Sequence, residues 1–236
     1  MAGMCVVALA RHVHPDWPLI LVGNRDEFHA RAAAPLAEWG DGSGIIAGRD
    51  LQAGGTWLGV HPAGGRVVVV TNVRGAPPDP GRESRGELVA DLLRGDGHFA
   101  DPQCADLDRF NAFNLLTVDR GGARLLTNRP EPRVERLTTG IHALANEPTD
   151  SPCARATRLR AALASATAAA ADPETLLDML VADDTPALFL HGEAYGTRCS
   201  TLVAIAADGR AHMVERRYEA GGRPIGTTAL DFRTGF

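Results

Sequence analysis

The strongest constraint on this chain is a succession of short apolar runs punctuated by glycine and proline. "MCVVALAR" and "PLILVGN" come first, joined by "HVHPDW", whose Pro and Asp suit a turn. "GIIAGRD", "GGTWLGVH" and "GRVVVVTN" follow, each opened by Gly, with "HPAGG" as a hairpin turn between the last two. Runs this short do not make buried helices, so the first half is predicted to be strands. The pattern then changes. In "DPGRESRGELVADLLRGDG", Ser84 stands three residues before Glu87 as a capping box, and Gly95 closes the helix. "DPQCADLDRF" repeats the logic with Asp101 as cap and Pro102 at the first helical position.

Two further strands, "FNLLTVD" and "ARLLTN", turn at "RGG", and "VERLTTGIHALAN" reads as a strand pair or a strand and loop. A second helical block begins at Ser151 as cap with Pro152 behind it. It runs through Ala168 to Ala171 and hands over to "DPETLLDMLVAD", capped by Asp172. The last apolar stretch, "RCSTLVAIAADGRAHMVERRYEA", is a hairpin about Asp208–Gly209. Strands, helices, strands, helices, strands imply an α+β layered fold with mainly antiparallel sheets. No GxGxxG or GxxxxGK[ST] string argues for a doubly wound alternative. No linker or repeat divides the 236 residues, so residues 1–236 are expected to form a single domain.

A net charge of −5 with no basic run argues against a nucleic-acid partner. No apolar run approaches the ~20 residues that span a bilayer, so no stable membrane insertion is expected. "MAGMCVVALARHVH" has no basic leader before its short apolar run, which points to the cytoplasm. Four cysteines, Cys5, Cys104, Cys153 and Cys199, show no CxxC spacing. The histidines are scattered and His12 and His14 lack a third ligand nearby, so no metal site is expected. Haem needs only one or two axial groups and stays open as a bound ligand; no cofactor is required.

Cys5 heads an apolar strand. A cysteine there is either a small buried hydrophobe or a nucleophile. Were the residues before it removed, its α-amine, with a pKa of ~7.7–8.0, would be a built-in base. If the first two strands pair as a hairpin over Cys5–Ala10 and Leu19–Asn24, Cys5 meets the cluster Asn24, Arg25, Asp26 and Glu27. Arg25 would favour thiolate, and Asp26 would orient the amine or a water. The alternative is a solvated turn with local Arg–Asp hydrogen bonds. Thr-Asn ends two strands, at Asn72 and at Asn128, and Asn146 lies in a similar place; asparagine amides there are either oxyanion donors or turn residues. Trp57 reads as core or pocket wall. Asn24, Glu27, Trp57 and Asn146 are therefore candidates for holding a ligand.

"MC" opening a strand, "NRDE" at 24–27, "GGTWLG" at 54–59, "TN" at 71–72, "SRGEL" at 84–88 and "YGTRCST" at 195–201 together resemble the NRDE family, that of transport and Golgi organisation protein 2. That family is similar in layout to N-terminal-nucleophile hydrolases, so the resemblance implies a four-layer αββα sandwich. By analogy with those hydrolases it implies Cys5 as nucleophile, Arg25 and Asp26 as the charged pair beside it, Asn72 or Asn128 on the oxyanion, and Arg198 in support. The chemistry implied is cysteine-type hydrolysis of, or acyl transfer from, a small amide or thioester. The family itself implies intracellular trafficking of haem or of acyl-CoA-like lipids.

Overall fold

Alternation inside the strands sets the layering. In the computed structural model, which describes residues 5–75 and 77–236, strand β1 (Val6–Arg11) sends Val7 and Leu9 into one apolar cluster and Val6, Ala8 and Ala10 into another. Strand β2 (Leu19–Phe28) does the same, with Leu19 and Leu21 on one side and Ile20 and Val22 on the other. A strand buried on both faces must sit inside a stack.

Two antiparallel sheets form that stack. The first contains β1, β2, β10 (Gly140–Leu144), β11 (Tyr195–Ile205), β12 (Arg210–Tyr218) and β13 (Pro224–Arg233), in the order β10-β1-β2-β11-β12-β13. The second contains β3 (Ala33–Glu38), β4 (Ile46–Asp50), β5 (Leu58–His61), β6 (Arg66–Asn72), β7 (Phe113–Asp119), β8 (Gly122–Thr127) and β9 (Arg133–Leu137), paired in chain order. Val7, Leu21, Val203 and Met213 of the first sheet meet Val60, Val67, Val69 and Leu116 of the second in the central cluster. Each such fully buried side chain contributes about 1.5–3 kcal/mol. Helix α1 (Arg85–Arg94) covers the outer face of the second sheet, with Leu88, Leu92 and Leu93 against Val68, Val70 and Leu115. Helix α3 (Ala154–Ala168) and the 3-10 helix Pro173–Val181 cover the first, through Leu159, Leu163, Leu176 and Leu180. The fold is the αββα sandwich the resemblance implied.

Several local expectations need correction. The β1–β2 register pairs Val6 with Asn24, not Cys5, so Cys5 lies beyond the ladder, opposite Arg25. "VERLTTGIHALAN" is not a strand pair: β9 closes the second sheet while β10 joins the first beside β1. Ser84 does cap α1, accepting from Glu87 N, and Gly95 ends it at φ +73°. The short helix α2 (Cys104–Leu107) is capped by Gln103 rather than Asp101, because Asp106 answers the Gln103 backbone N–H. Helix α3 starts after Cys153, not Ser151, and stops at Ala168; Ala170 takes φ +50°, so the alanine run does not carry it further. The state of Met4 and the residues before it lies outside the described residues.

Candidate functional site

The two sheets splay at one end of the sandwich. β1 begins there, β2, β6 and β12 end there, and the first turn of α1 overhangs the gap. The resulting cleft encloses about 780 Å³. Cys5, Arg25, Asp26, Glu27, Asn72 and Arg198 all line it, together with Trp57.

The pleat divides the NRDE run between two faces. Asn24 points to the helix layer, where its Nδ2 donates to Leu180 O and Leu188 O, both at 2.8 Å, and its Oδ1 accepts from Ser200 Oγ at 2.6 Å. It pins the 3-10 helix and does not reach the cleft. Asp26 points the same way. Its Oδ1 accepts from Thr197 Oγ1 at 2.6 Å and its Oδ2 from Arg155 Nη2 at 2.9 Å. Only its carbonyl turns to the thiol, with Cys5 Sγ at 3.9 Å and Tyr195 OH at 2.9 Å. Arg25 and Glu27 face the cleft, 3.6 Å apart. The Arg25–Asp26 pair is thus split: the guanidinium shares the cleft with Cys5, and the carboxylate is spent on α3.

Charge at the thiol follows. Burial pushes Cys5 up to about 12; Asp26 adds to this, and Arg25 pulls down without overcoming it. The expected thiolate-stabilising effect of Arg25 exists but loses to desolvation. Cys199, also buried on the cleft, is raised by burial and by Glu215. Burial lifts Asp26 itself to about 6 against the opposing pull of Arg155 and the Thr197 hydrogen bond.

A bulge aims Arg198. β11 pairs Thr197 with Asp26 and Cys199 with Arg25, leaving Arg198 as the extra residue. Its Nη1 donates to Phe28 O, His29 O and Arg31 O at 2.9, 3.1 and 2.9 Å. The bulge also reverses the alternation, so Thr197 faces α3 while Cys199 faces the cleft.

The three remaining asparagines take different jobs. Asn72 reaches the cleft from the end of β6. Asn146 supports it, donating Nδ2 to Asn72 O at 2.6 Å, and is not itself a lining residue. Asn128 is buried elsewhere, with Oδ1 accepting from Phe113 N at 3.0 Å and Nδ2 donating to Leu107 O and Phe110 O at 3.0 and 3.1 Å. Every donor on that amide is used, so the geometry offers Asn128 no oxyanion to hold.

Sequence reasoning missed Arg31, Asp50, Arg85, Arg155 and Cys199. Asp50 binds Arg31 Nε at 2.6 Å and lies 3.6 Å from Arg25, which completes a network with Glu27. Arg85 sits inside the "SRGEL" string, where only the helix cap was legible. Among the described residues no three His, Cys, Asp or Glu side chains gather to hold a metal, and no helix is long and apolar enough to cross a membrane.

A family model described as Transport and Golgi organisation 2 matches residues 4–220. The Homo sapiens Transport and Golgi organization protein 2 homolog is 28% identical, across 90% of this chain and 92% of its own length. The Mus musculus homolog is 27% identical over the same shares. Drosophila melanogaster Transport and Golgi organization protein 2 is 33% identical over 58% of this chain and 55% of its own. Among solved structures, a Caenorhabditis elegans N-acylethanolamine-hydrolyzing acid amidase ortholog superposes with a TM-score of 0.55 at 11% identity, covering 84% of this chain and 92% of that one. The sandwich is thus N-terminal-nucleophile hydrolase-like, and the likeness is one of fold.

Proposed function

Taking as premise that the chain belongs to the Transport and Golgi organisation 2 family, we propose that its cleft holds, without turning over, a small molecule with an apolar acyl body and an anionic head. Trp57, Val70, Tyr218 and Ile225 offer an apolar wall, and Arg25, Arg85 and Arg198 stand on the floor. An acyl-CoA-like thioester has this shape.

The observation that carries the reading is the state of Cys5. Burial pushes the Cys5 thiol up to about 12, so it stays protonated at neutral pH. No histidine lines the cleft among the described residues, so no imidazole stands ready to take the proton. A thioester would lie beside a neutral thiol and survive. Haem fits less well: among the described residues no His or Met lines the cleft, and an iron would meet two thiols held protonated by burial and the phenol of Tyr218.

A second reading, a cysteine-type amide or thioester hydrolase or acyl transferase, is favoured by the placement of Cys5 at the start of β1 beside Arg25 and Asn72. The amidase with a similar sandwich supports it by analogy only. It requires a base, which a free α-amine on Cys5 would supply.

Titrating the full chain with a medium-chain acyl-CoA, while following thiol release, separates the two. Saturable binding with no release above the blank, unchanged in Cys5→Ala, is expected. Absence of binding overturns the proposal. Release that Cys5→Ala abolishes installs the hydrolase instead. Absorbance titration with haem is the parallel arm, and a shifted Soret band there would replace the acyl ligand.

A further inference from the structure

The arginines of the cleft sort into two groups. Arg25 and Arg31 share Glu27 and Asp50, Arg49 faces Asp41 at 3.1 Å, Arg82 faces Asp79 at 3.7 Å, and Arg217 faces Glu215 at 3.4 Å. Arg85 and Arg198 have no carboxylate within ion-pair distance among the described residues. Arg85 Nη1 donates to Ala112 O at 3.0 Å, and Arg198 Nη1 to its three main-chain carbonyls. A carbonyl orients a guanidinium but does not neutralise it.

The two lie in one electrostatic neighbourhood. Arg85 feels Glu27, Arg31 and Cys5; Arg198 feels Glu27, Arg25 and Cys199. Burial and these neighbouring cations weaken the hold of both on their protons. Four guanidiniums, Arg25, Arg31, Arg85 and Arg198, therefore face two carboxylates, Glu27 and Asp50, on a half-buried floor. Charge taken from water is unfavourable unless something of opposite sign meets it. Among the described residues Glu27 acts on both arginines from a distance, but no carboxylate pairs with either.

We infer that Arg85 and Arg198 form an anion subsite, in which a carboxylate or phosphate group of the ligand supplies the missing counter-charge. Arg85 approaches from the first turn of α1 and Arg198 from the bulge of β11. The group is gripped between helix and sheet, with the two thiols and Trp57 left for the rest of the molecule. Planar guanidiniums suit this task, since each can make a forked pair with either oxyanion. The inference rests on the binding reading above, and names the end of the ligand that the cleft selects.

The test uses anions with no acyl bond to break. The full chain is titrated calorimetrically with pyrophosphate, inorganic phosphate and octanoate, at low and high salt. Saturable binding that weakens with salt is expected. Arg85→Gln should weaken it about tenfold, and Arg85→Lys, which keeps the charge but loses the fork, should fall between Arg85→Gln and wild type. Arg198 also ties down the loop after β2, so Arg198→Lys is used there, with circular dichroism to report folding. Tighter pyrophosphate than octanoate marks a phosphate head, and the reverse marks a carboxylate. No saturable binding of any of the three, or affinities within about twofold for wild type and Arg85→Gln, overturns the subsite. Every titration is repeated on Cys5→Ala. Anion binding that persists there while acyl-CoA is turned over by wild type would sink the inert-binding reading and leave the subsite standing. Retained acyl-CoA binding with no anion effect does the converse.

Discussion

Asp26 shows how one side chain is diverted from the role its neighbours suggest. It stands one residue from a cleft-facing arginine, yet its carboxylate is enclosed by Thr197 and Arg155 under α3. Burial raises it from 3.8 to about 6. The native chain therefore binds this proton more tightly than the unfolded chain. Between those two values the folded state carries the extra proton, so the Asp26 contribution to stability falls as pH rises through that window. Asp26→Asn removes the titration. Urea unfolding at pH 4.5 and pH 7 is expected to show wild type losing stability relative to Asp26→Asn on going up; a gap that widens the other way would refute the assignment. Of the residues read from the sequence as catalytic, Cys5, Arg25, Asp26, Asn72 and Arg198 line one cleft. It did not reveal which way each side chain points. A hairpin register known only to within one residue leaves the two faces interchangeable, because the pleat has period two. For the same reason Arg155 was invisible: nothing in the spacing of 26 and 155 marks them as partners. Asn128 misled because its "LLTN" copies the strand exit at Asn72, while α2 and the carbonyls of Leu107 and Phe110 lie only over the second copy.

At the scale of elements, the cleft depends on how closely α1 settles on the β4–β5 connection. Gly55 and Gly86 make that contact. A Cβ added to Gly55 would run into the Gly86 backbone, and the Glu87 N would stand 2.8 Å away. Main chain cannot rotate aside as a long side chain does. Gly55→Ala is expected to cost about 1–3 kcal/mol in denaturant unfolding. It should also weaken anion binding, because it pushes outward the turn that carries Arg85. Wild-type stability and affinity in this variant would show that the helix start is not held by the contact. Several of the strands that sequence foretold, β1, β2, β6, β7 and β11 among them, are rich in apolar residues and buried on both faces. β3 and β13 were not foreseen; both are edge strands, exposed along much of their length, and "AAPLAE" and "PIGTTALDFR" carry few large apolar residues. The segment from β9 to β10 read as one unit because nothing in "LTTG" announces that the chain is changing sheets there.

For the molecule as a whole, the question is whether two sheets, each with its own helical cover, unfold together. The central cluster draws Val7, Leu21 and Val203 from one sheet and Val60, Val69 and Leu116 from the other, so neither inner face stays covered if the other leaves. The chain also changes sheets repeatedly. β2 leads into β3, β9 into β10, and the segment after β10 is held by Thr71 Oγ1 on Ala145 O at 2.8 Å and by Asn114 Nδ2 on Glu147 O at 2.8 Å. Pulling the sheets apart would expose apolar surface on both and strand these donors at once. We therefore expect the two sheets and their helices to unfold as one cooperative unit. Calorimetric and van't Hoff enthalpies should agree, and the near- and far-ultraviolet circular dichroism transitions should coincide. A ligand seated in the cleft touches both sheets and the start of α1. It should therefore raise the single midpoint without splitting it, by an amount set by its concentration relative to its dissociation constant. Two resolved transitions, with only one moved by pyrophosphate, would show instead that one sheet and its helices fold alone and that the floor of the cleft belongs to that half.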